Sequence, residues 1–389
     1  MNVVLRPSRT GLRARTARLI VQFTLAFSGL HAPDAGAQDI SIGQIGPFSG
    51  SAGALATEIH DGANACFEQV NREGGIHGRK LALFTLDDAF EPAVFEERFE
   101  QALARHPVAL LPLVGSPAIG RLLKSGLLET SGMVVIGMVP ESDVYQHETH
   151  NNLFHISVGD RAQFERILQH CKTLGISRVH VVFQDLSIGG ASLAAIVASS
   201  ERIGGPAITA TRVAGTASAL AAAAHLPAVQ GAESIIVFGV PDFMTTAVVQ
   251  LRAAGLRQSI FVLSYLDARL AQRAIGTEAA RGLGITQTFP NPNGHVLPLQ
   301  RDFRAAMQKA SLGSGTYTNL QLEGYIAARV LVAGLKRIDG PPTPVALARA
   351  IREMGEFDLG GFRLNFSRSN VGSTWTDIGV MSSAGKLEY

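Results

Sequence analysis

Two rhythms of apolar and polar positions alternate along this chain. Short β-branched runs recur between stretches in which apolar residues return every three or four positions, the signatures of strand and helix. The first pair opens at Asp39. Ile40, Ile42 and Ile45 form an apolar run, which Gly46, Pro47, Ser49, Gly50 and Gly53 then break. Ile59, Ala63, Phe67 and Val70 follow as one buried helical stripe. The stripe stops at Asn71-Arg72-Glu73-Gly74-Gly75, with glycine where a helix end needs positive φ. A strand over 81–86 comes next and ends in Asp87-Asp88. A strand–loop–helix–strand opening of this kind puts its loop at the carboxyl edge of a parallel sheet, where open α/β sheets bind ligands.

The alternation continues. It predicts a helix over 92–105 with Val94, Phe95, Phe99 and Leu103 inward, a strand over 108–114, a helix over 119–130, and strands over 133–136 and 153–156. A second series has strands over 179–183, 208–213, 234–238, 260–263 and 282–287. Its helices fall over 161–174, from about 190 to 202, over 218–226 (halted by Pro227), over 245–254 (ended by Gly255) and over 268–274. Helices over 299–310, 319–337 and 341–353 follow, the last entered through prolines. Late strands lie within 357–366 and 374–381. No repeat of solenoid or propeller length is present.

Several stretches together carry a family resemblance. They are Ile42-Gly43-Gln44-Ile45-Gly46-Pro47-Phe48-Ser49-Gly50, then Gly62-Ala63 within a helix, then Val70-Asn71-Arg72-Glu73-Gly74-Gly75-Ile76-His77-Gly78-Arg79-Lys80-Leu81, and the Asp87-Asp88 pair. This combination resembles the start of the periplasmic branched-chain amino-acid binding proteins. These are the leucine-binding-protein-like, type I solute-binding proteins of ABC importers. The resemblance covers nearly the whole chain after residue 37. It implies an α/β fold of two doubly wound parallel-sheet lobes joined by three crossover strands. Residues 38–157 plus 290–363 would form the N-terminal lobe and 158–289 plus 364–389 the C-terminal lobe. Ligand would lie in the cleft between their carboxyl edges, held by hinge closure.

Composition changes the picture at the amino end. Arg6, Arg9, Arg13, Arg15 and Arg18 form a basic region, 19–30 is a moderately apolar run, and Ala35-Gly36-Ala37 supplies small residues for cleavage. Residues 1–37 therefore read as a secretory signal peptide rather than a mitochondrial-type presequence or a disordered arm. The apolar run, about a dozen residues with Gln22, Thr24 and Ser28 inside it, is too short and too polar to span a bilayer. Removal of the signal peptide shifts the formal charge from +2 to −2. No basic face for nucleic acid remains, and no second long apolar segment spans a membrane. The expectation is a periplasmic, Gram-negative, monomeric protein that is not an enzyme and carries no cofactor. Its partners are a small-molecule ligand and an inner-membrane ABC permease. The alternative is a ligand-sensing module of the same fold acting through a separate receptor or regulator. Cys66 and Cys171 fall in different lobes and are expected as buried free thiols.

Candidate chemistry is sparse. The Gly46–Gly53 loop lacks the Gly-Lys-Ser/Thr ending of a phosphate loop and does not match Gly-x-Gly-x-x-Gly. His147-Glu148-Thr149-His150, with His155 nearby, reads as a solvated polar loop rather than a metal site. No Gly-x-Ser-x-Gly elbow occurs, and Asp87-Asp88 reads as structural or peripheral. Ser49 and Gly50 can offer a hydroxyl and a bare amide at a helix N-terminus, which suits an anionic group.

Carrying the family's ligand contacts onto this chain gives the remaining candidates. The loops whose hydroxyls would hold a ligand carboxylate fall near Ala118 and Pro140, with Ser116, Pro117, Val139, Glu141 and Ser142 beside them. The cleft tyrosine of the second lobe falls at Ile188, and another aromatic contact around Val240-Pro241. The acidic residue that would grip an α-ammonium falls at Tyr265, with Asp242 and Asp267 the nearest carboxylates. A buried ammonium without its partner costs several kcal/mol. The ligand is therefore expected to be a small carboxylate, an aromatic acid or an amide-like compound against an apolar wall of Leu55, Val139, Pro140, Ile188 and Tyr265.

Overall fold

A computed structural model describes residues 38–50, 52–146, 150–185, 189–313 and 315–389, together with Met1 and Val3. The signal-peptide reading of 1–37 otherwise lies outside the described residues. The chain from Gln38 to Tyr389 forms one compact unit. Among the described residues no helix is long and apolar enough to cross a membrane.

The first half runs β1 (Ile40–Gly46), α1 (Gly53–Arg72), β2 (Leu81–Asp87), α2 (Pro92–Leu103), β3 (Leu113–Val114), α3 (Ser116–Ser125), α4 (Leu127–Ser131), β4 (Val135–Ile136), β5 (Met138–Val139), α5 (Asp143–Gln146) and β6 (Leu153–Phe154). β1 and β2 pair in parallel from Ile40 opposite Leu81 to Gly46 opposite Asp87. Leu110 bridges Gly43 on one side and Val135 on the other, both in parallel, and β4 pairs β6. β3 and β5 carry the pairing further toward the carboxyl edge. The expected strand over 108–114 is thus present in two pieces. Pro112 sits at the break, where it offers no N–H to a ladder. The expected helix over 119–130 is likewise divided, because Gly126 turns to φ 70° between α3 and α4.

The second half continues α6 (Asp160–Thr173), β7 (Arg178–Gln184), α7 (Gly189–Ile203), β8 (Ala207–Val213), α8 (Ala217–Ala224), α9 (Pro227–Gln230), β9 (Ser234–Phe238), α10 (Pro241–Ala253), β10 (Ser259–Val262), α11 (Ala268–Ile275), α12 (Thr277–Ala280) and β11 (Leu283–Gln287). Then come α13 (Pro298–Lys309), α14 (Asn319–Leu335), α15 (Pro344–Glu353), β12 (Glu356–Asp358), β13 (Arg363–Asn365), β14 (Asp377–Met381) and β15 (Leu387–Glu388). The second sheet has the order β15-β14-β11-β10-β9-β7-β8 and is parallel except for β14 and β15. Pro227 opens α9 instead of only halting α8. α10 begins at Pro241, earlier than the apolar stripe suggested, because proline's fixed φ suits the first helical turn.

Two doubly wound α/β lobes result. Apolar side chains of α1, α14 and α15 share the first core with Phe154, Phe362 and Phe366, while α10 and α11 cover one face of the second sheet. The chain passes between lobes three times: after β6, after β11 and before β14. The first and third passages touch, since His155 bridges Val371. Helices α1 and α14 approach closely through glycine. A methyl carbon on Gly62 would sit 1.7 Å from the Gln321 carbonyl oxygen, and one on Gly324 2.0 Å from that of Ile59. Cys66 of α1 and Cys171 of α6 are buried and unpaired in separate cores, and burial pushes their thiols up to about 12 and about 11.

Candidate functional site

The loops after the parallel strands converge at the carboxyl edges of both sheets. In the first lobe Asp87 ties two of these loops together. Its Oδ1 accepts the backbone N–H groups of Phe48 and Ala89, each at 2.9 Å. The Ser49 hydroxyl donates to the same carboxylate, and this bond, with the backbone ones, holds the carboxyl below its ordinary range. Ser49 and Gly50 are exposed, Gly50 with φ 70°, and Leu55 is half-buried in the first turn of α1. At the start of α3, Ser116 is half-buried, Pro117 exposed and Ala118 buried in the core. The Ser116 carbonyl oxygen accepts the Tyr145 hydroxyl at 2.8 Å.

Val139 and Pro140 are half-buried after β5, and the chain then turns two polar side chains inward. Glu141 accepts the Met138 N–H at 3.3 Å, and its other carboxylate oxygen lies 2.5 Å from Nδ1 of the fully buried His155. Glu323 of α14 is close by, and burial, followed by the charge of Glu141, pushes its carboxyl well up. Ser142 donates to Oδ2 of Asp160, the first residue of α6, at 3.1 Å. The Tyr265 hydroxyl meets the other oxygen of Asp160 and lies 3.5 Å from the Glu141 carbonyl oxygen. Glu141, Ser142, Asp160 and Tyr265 thus join the two lobes at one end of the cleft.

Burial, then the charge of Asp143, pushes the Asp160 carboxyl up to about 8. A carboxyl that keeps its proton to higher pH in the folded chain stabilises the fold at low pH and loses that contribution as pH rises. Stability measured by urea unfolding should therefore decline between about pH 4, the ordinary Asp value, and about pH 8. Asp160→Asn should flatten that slope. An unchanged slope in the variant assigns the dependence to other groups.

In the second lobe Gln184, at the end of β7, accepts the Val240 N–H at 3.0 Å and so ties the loops after β7 and β9. Val240 is exposed at the N-cap of α10, with Pro241 half-buried and Asp242 exposed in its first turn. Ile188 lies outside the described residues, as do His147 and Glu148. Asp267 caps α11 by accepting the N–H groups of Arg269 and Leu270. Arg269 then reaches across to Glu58 of α1 at 2.7 Å, and Thr318 donates to the other Glu58 oxygen at 2.9 Å.

Beside this cross-lobe pair is a cavity of about 430 Å³ lined by Asp267, Arg269, Asn293, Thr318, Lys386 and Tyr389, among others. A shallower groove of about 500 Å³ lies outside the second lobe between α10 and α12. Apart from Asp267, none of the described residues among those named from the sequence lines either space. Glu141 and Tyr265 are the two candidates brought together across the lobes.

Sequence reasoning passed over Glu323, Asp160 and the Glu58–Arg269 pair. Glu323 did leave a signal. It is a carboxylate in Leu320-Gln321-Leu322-Glu323-Gly324-Tyr325-Ile326, on a helix apolar on every side.

Comparison with known proteins agrees with this architecture. The family described as "Periplasmic binding protein" matches residues 39–384. An extracellular ligand-binding receptor from Verminephrobacter eiseniae ef01-2 is 38% identical, covering 90% of this chain and 100% of that one, with a TM-score of 0.83. A substrate-binding periplasmic protein from Ralstonia solanacearum is 25% identical over 90% of this chain and 99% of its own, with a TM-score of 0.78. The Leu/Ile/Val-binding protein BraC3 of Rhizobium johnstonii is 41% identical over 82 residues, which are 21% of this chain and 20% of that protein. The chain thus matches about a fifth of the length of that curated relative.

Proposed function

The chain belongs to the periplasmic binding protein family, and from that premise we propose that it is the periplasmic substrate-binding component of an ABC importer. It captures a small organic solute between its lobes and delivers it unaltered to an inner-membrane permease, acting as a monomer. Binding shifts the equilibrium between open and closed lobes, and the ligand contributes only through its better fit to the closed one.

The ligand is a small carboxylate, an aromatic acid or an amide rather than an aliphatic amino acid held by its ammonium group. One observation supports this reading above the others: the hydroxyl of Tyr265, the position to which the family resemblance assigns the ammonium-gripping acid, is engaged by the buried Asp160. Neither carboxylate expected from the sequence takes its place. Asp242 is exposed in the first turn of α10, and Asp267 is occupied in capping α11.

A thermal-shift screen tests it. Saturating ligand at 100 times Kd stabilises by about 2.7 kcal/mol, so dicarboxylates, aromatic acids and amides should include compounds that raise the melting temperature. A rise with leucine, isoleucine and valine alone would overturn the ligand class. Capture of permease subunits from inner-membrane extracts by the loaded protein supports import. Capture of a sensor kinase or receptor instead assigns the chain to signalling.

A further inference from the structure

The turn after β2 holds a feature that the solute-binding reading has not used. Ala89 and Phe90 are consecutive non-glycine residues with φ 51° and 64°. The left-handed region disfavours any side chain with a Cβ, and such residues persist only where their surroundings hold them. Here two carboxylates do so. Asp87 Oδ1 accepts the Ala89 N–H at 2.9 Å, and Asp88 Oδ1 accepts the Phe90 N–H at 2.8 Å. Glu91 N–H then closes the turn onto the Asp88 carbonyl oxygen at 2.9 Å, just before α2 begins.

The result is an aromatic ring left 49% exposed although a core containing Phe95 and Phe99 begins a few residues later. A lone exposed apolar residue needs no explanation; one held out by two strained residues and two buried or bonded carboxylates does. Its direction is informative. A methyl carbon on Gly115 would sit 3.2 Å from the Phe90 ring, and Gly115 itself has φ 107°, which reserves the position for glycine. β1 lies between β2 and the strand that precedes Gly115, so a ring that reaches Gly115 from the turn after β2 spans the carboxyl end of β1. That edge carries the loops of Phe48, Ser49 and Ser116.

We propose that Phe90 is a wall of the ligand cleft and a specificity-determining residue that selects solutes with a flat, conjugated group. This rests on the solute-binding reading and narrows its ligand class to planar aromatic or aryl carboxylates. An aromatic ring offers an offset or edge-to-face contact to such a group, and a puckered saturated ring of equal charge cannot return it. The turn built by Asp87 and Asp88 serves to hold the ring in the cleft.

The test pairs ligands that differ only in flatness: benzoate with cyclohexanecarboxylate, and phenylacetate with cyclohexylacetate, each titrated calorimetrically into the full chain. The intact protein should prefer the flat member of a pair. Phe90→Ala should weaken the flat ligand about tenfold while leaving the saturated one within about twofold, and Phe90→Trp should keep the preference. Phe90→Leu retains bulk without the π face and should lose the preference as alanine does, which separates stacking from folding. An unchanged preference in Phe90→Ala, or intact protein that binds only the saturated or aliphatic solutes, overturns the role of Phe90 and leaves solute binding standing. Intact protein that binds no solute of any class overturns both.

Discussion

Replacing Gly324 by alanine is expected to cost about 3 kcal/mol of stability. In an ordinary helix interior the same change gains up to about 1 kcal/mol, because alanine has less backbone freedom to lose. Here the added methyl would lie 2.0 Å from the Ile59 carbonyl oxygen, inside contact distance of backbone that cannot turn aside. α1 and α14 must move apart, and the separation opens the most heavily buried helix of the first lobe. Gly62→Ala should behave in the same way from the opposite helix, since its methyl would meet the Gln321 carbonyl oxygen. Gly334→Ala lies further along α14 and first meets a Leu347 methyl carbon, a side-chain atom able to rotate, so its cost should be much smaller. Urea midpoints of the three variants decide the matter. A higher midpoint for Gly324→Ala would show that the two helices are not held by their close approach.

His155→Ala is expected to be the most damaging change at the junction of the lobes, costing about 3–5 kcal/mol. Alanine would leave the buried Glu141 carboxylate without the ring nitrogen 2.5 Å away, in surroundings that already raise the neighbouring Glu323. Much of such a loss is the cost of an unpaired buried charge, not the value of the pair. The double variant Glu141→Met, His155→Leu should therefore recover most of the stability lost by His155→Ala. A double variant as unstable as the single one would mean that packing around His155 matters more than the stranded carboxylate. Denaturant titration of the intact protein, the single variant and the double variant reads the recovery. Ligand titration alongside it reads whether the junction also sets the angle between lobes.

The apolar rhythm of the sequence reached the fold because each helix and strand buries one face. Ile59, Ala63, Phe67 and Val70 recur at helical spacing and are all buried. The boundaries that shifted did so for local backbone reasons: Pro112 in a strand, Gly126 at a left-handed bend, Pro241 opening a helix. Loop positions at the sheet edges were legible through the family resemblance. The direction in which each side chain leaves its loop was not. Ser116 stays half-buried near the surface, while Glu141 and Ser142 a loop away turn inward to His155 and Asp160. Such partners lie on separate elements, and nothing in local spacing encodes who faces whom across a cleft. Phe90 was hidden differently. An aromatic in a turn gives no periodic signal, and only its dihedral angles and its approach to Gly115 single it out.

Neither lobe is a continuous stretch of chain: α1 is packed against α14, and β11 is completed by β14. The consequence concerns time rather than shape. A polypeptide emerging amino end first holds half-built cores with uncovered apolar faces until α14 and β14 arrive, and pairings so distant in sequence form slowly. The first lobe therefore completes its core only after the segments of the second lobe up to β11 have been made, and the second waits for β14 at the end of the chain.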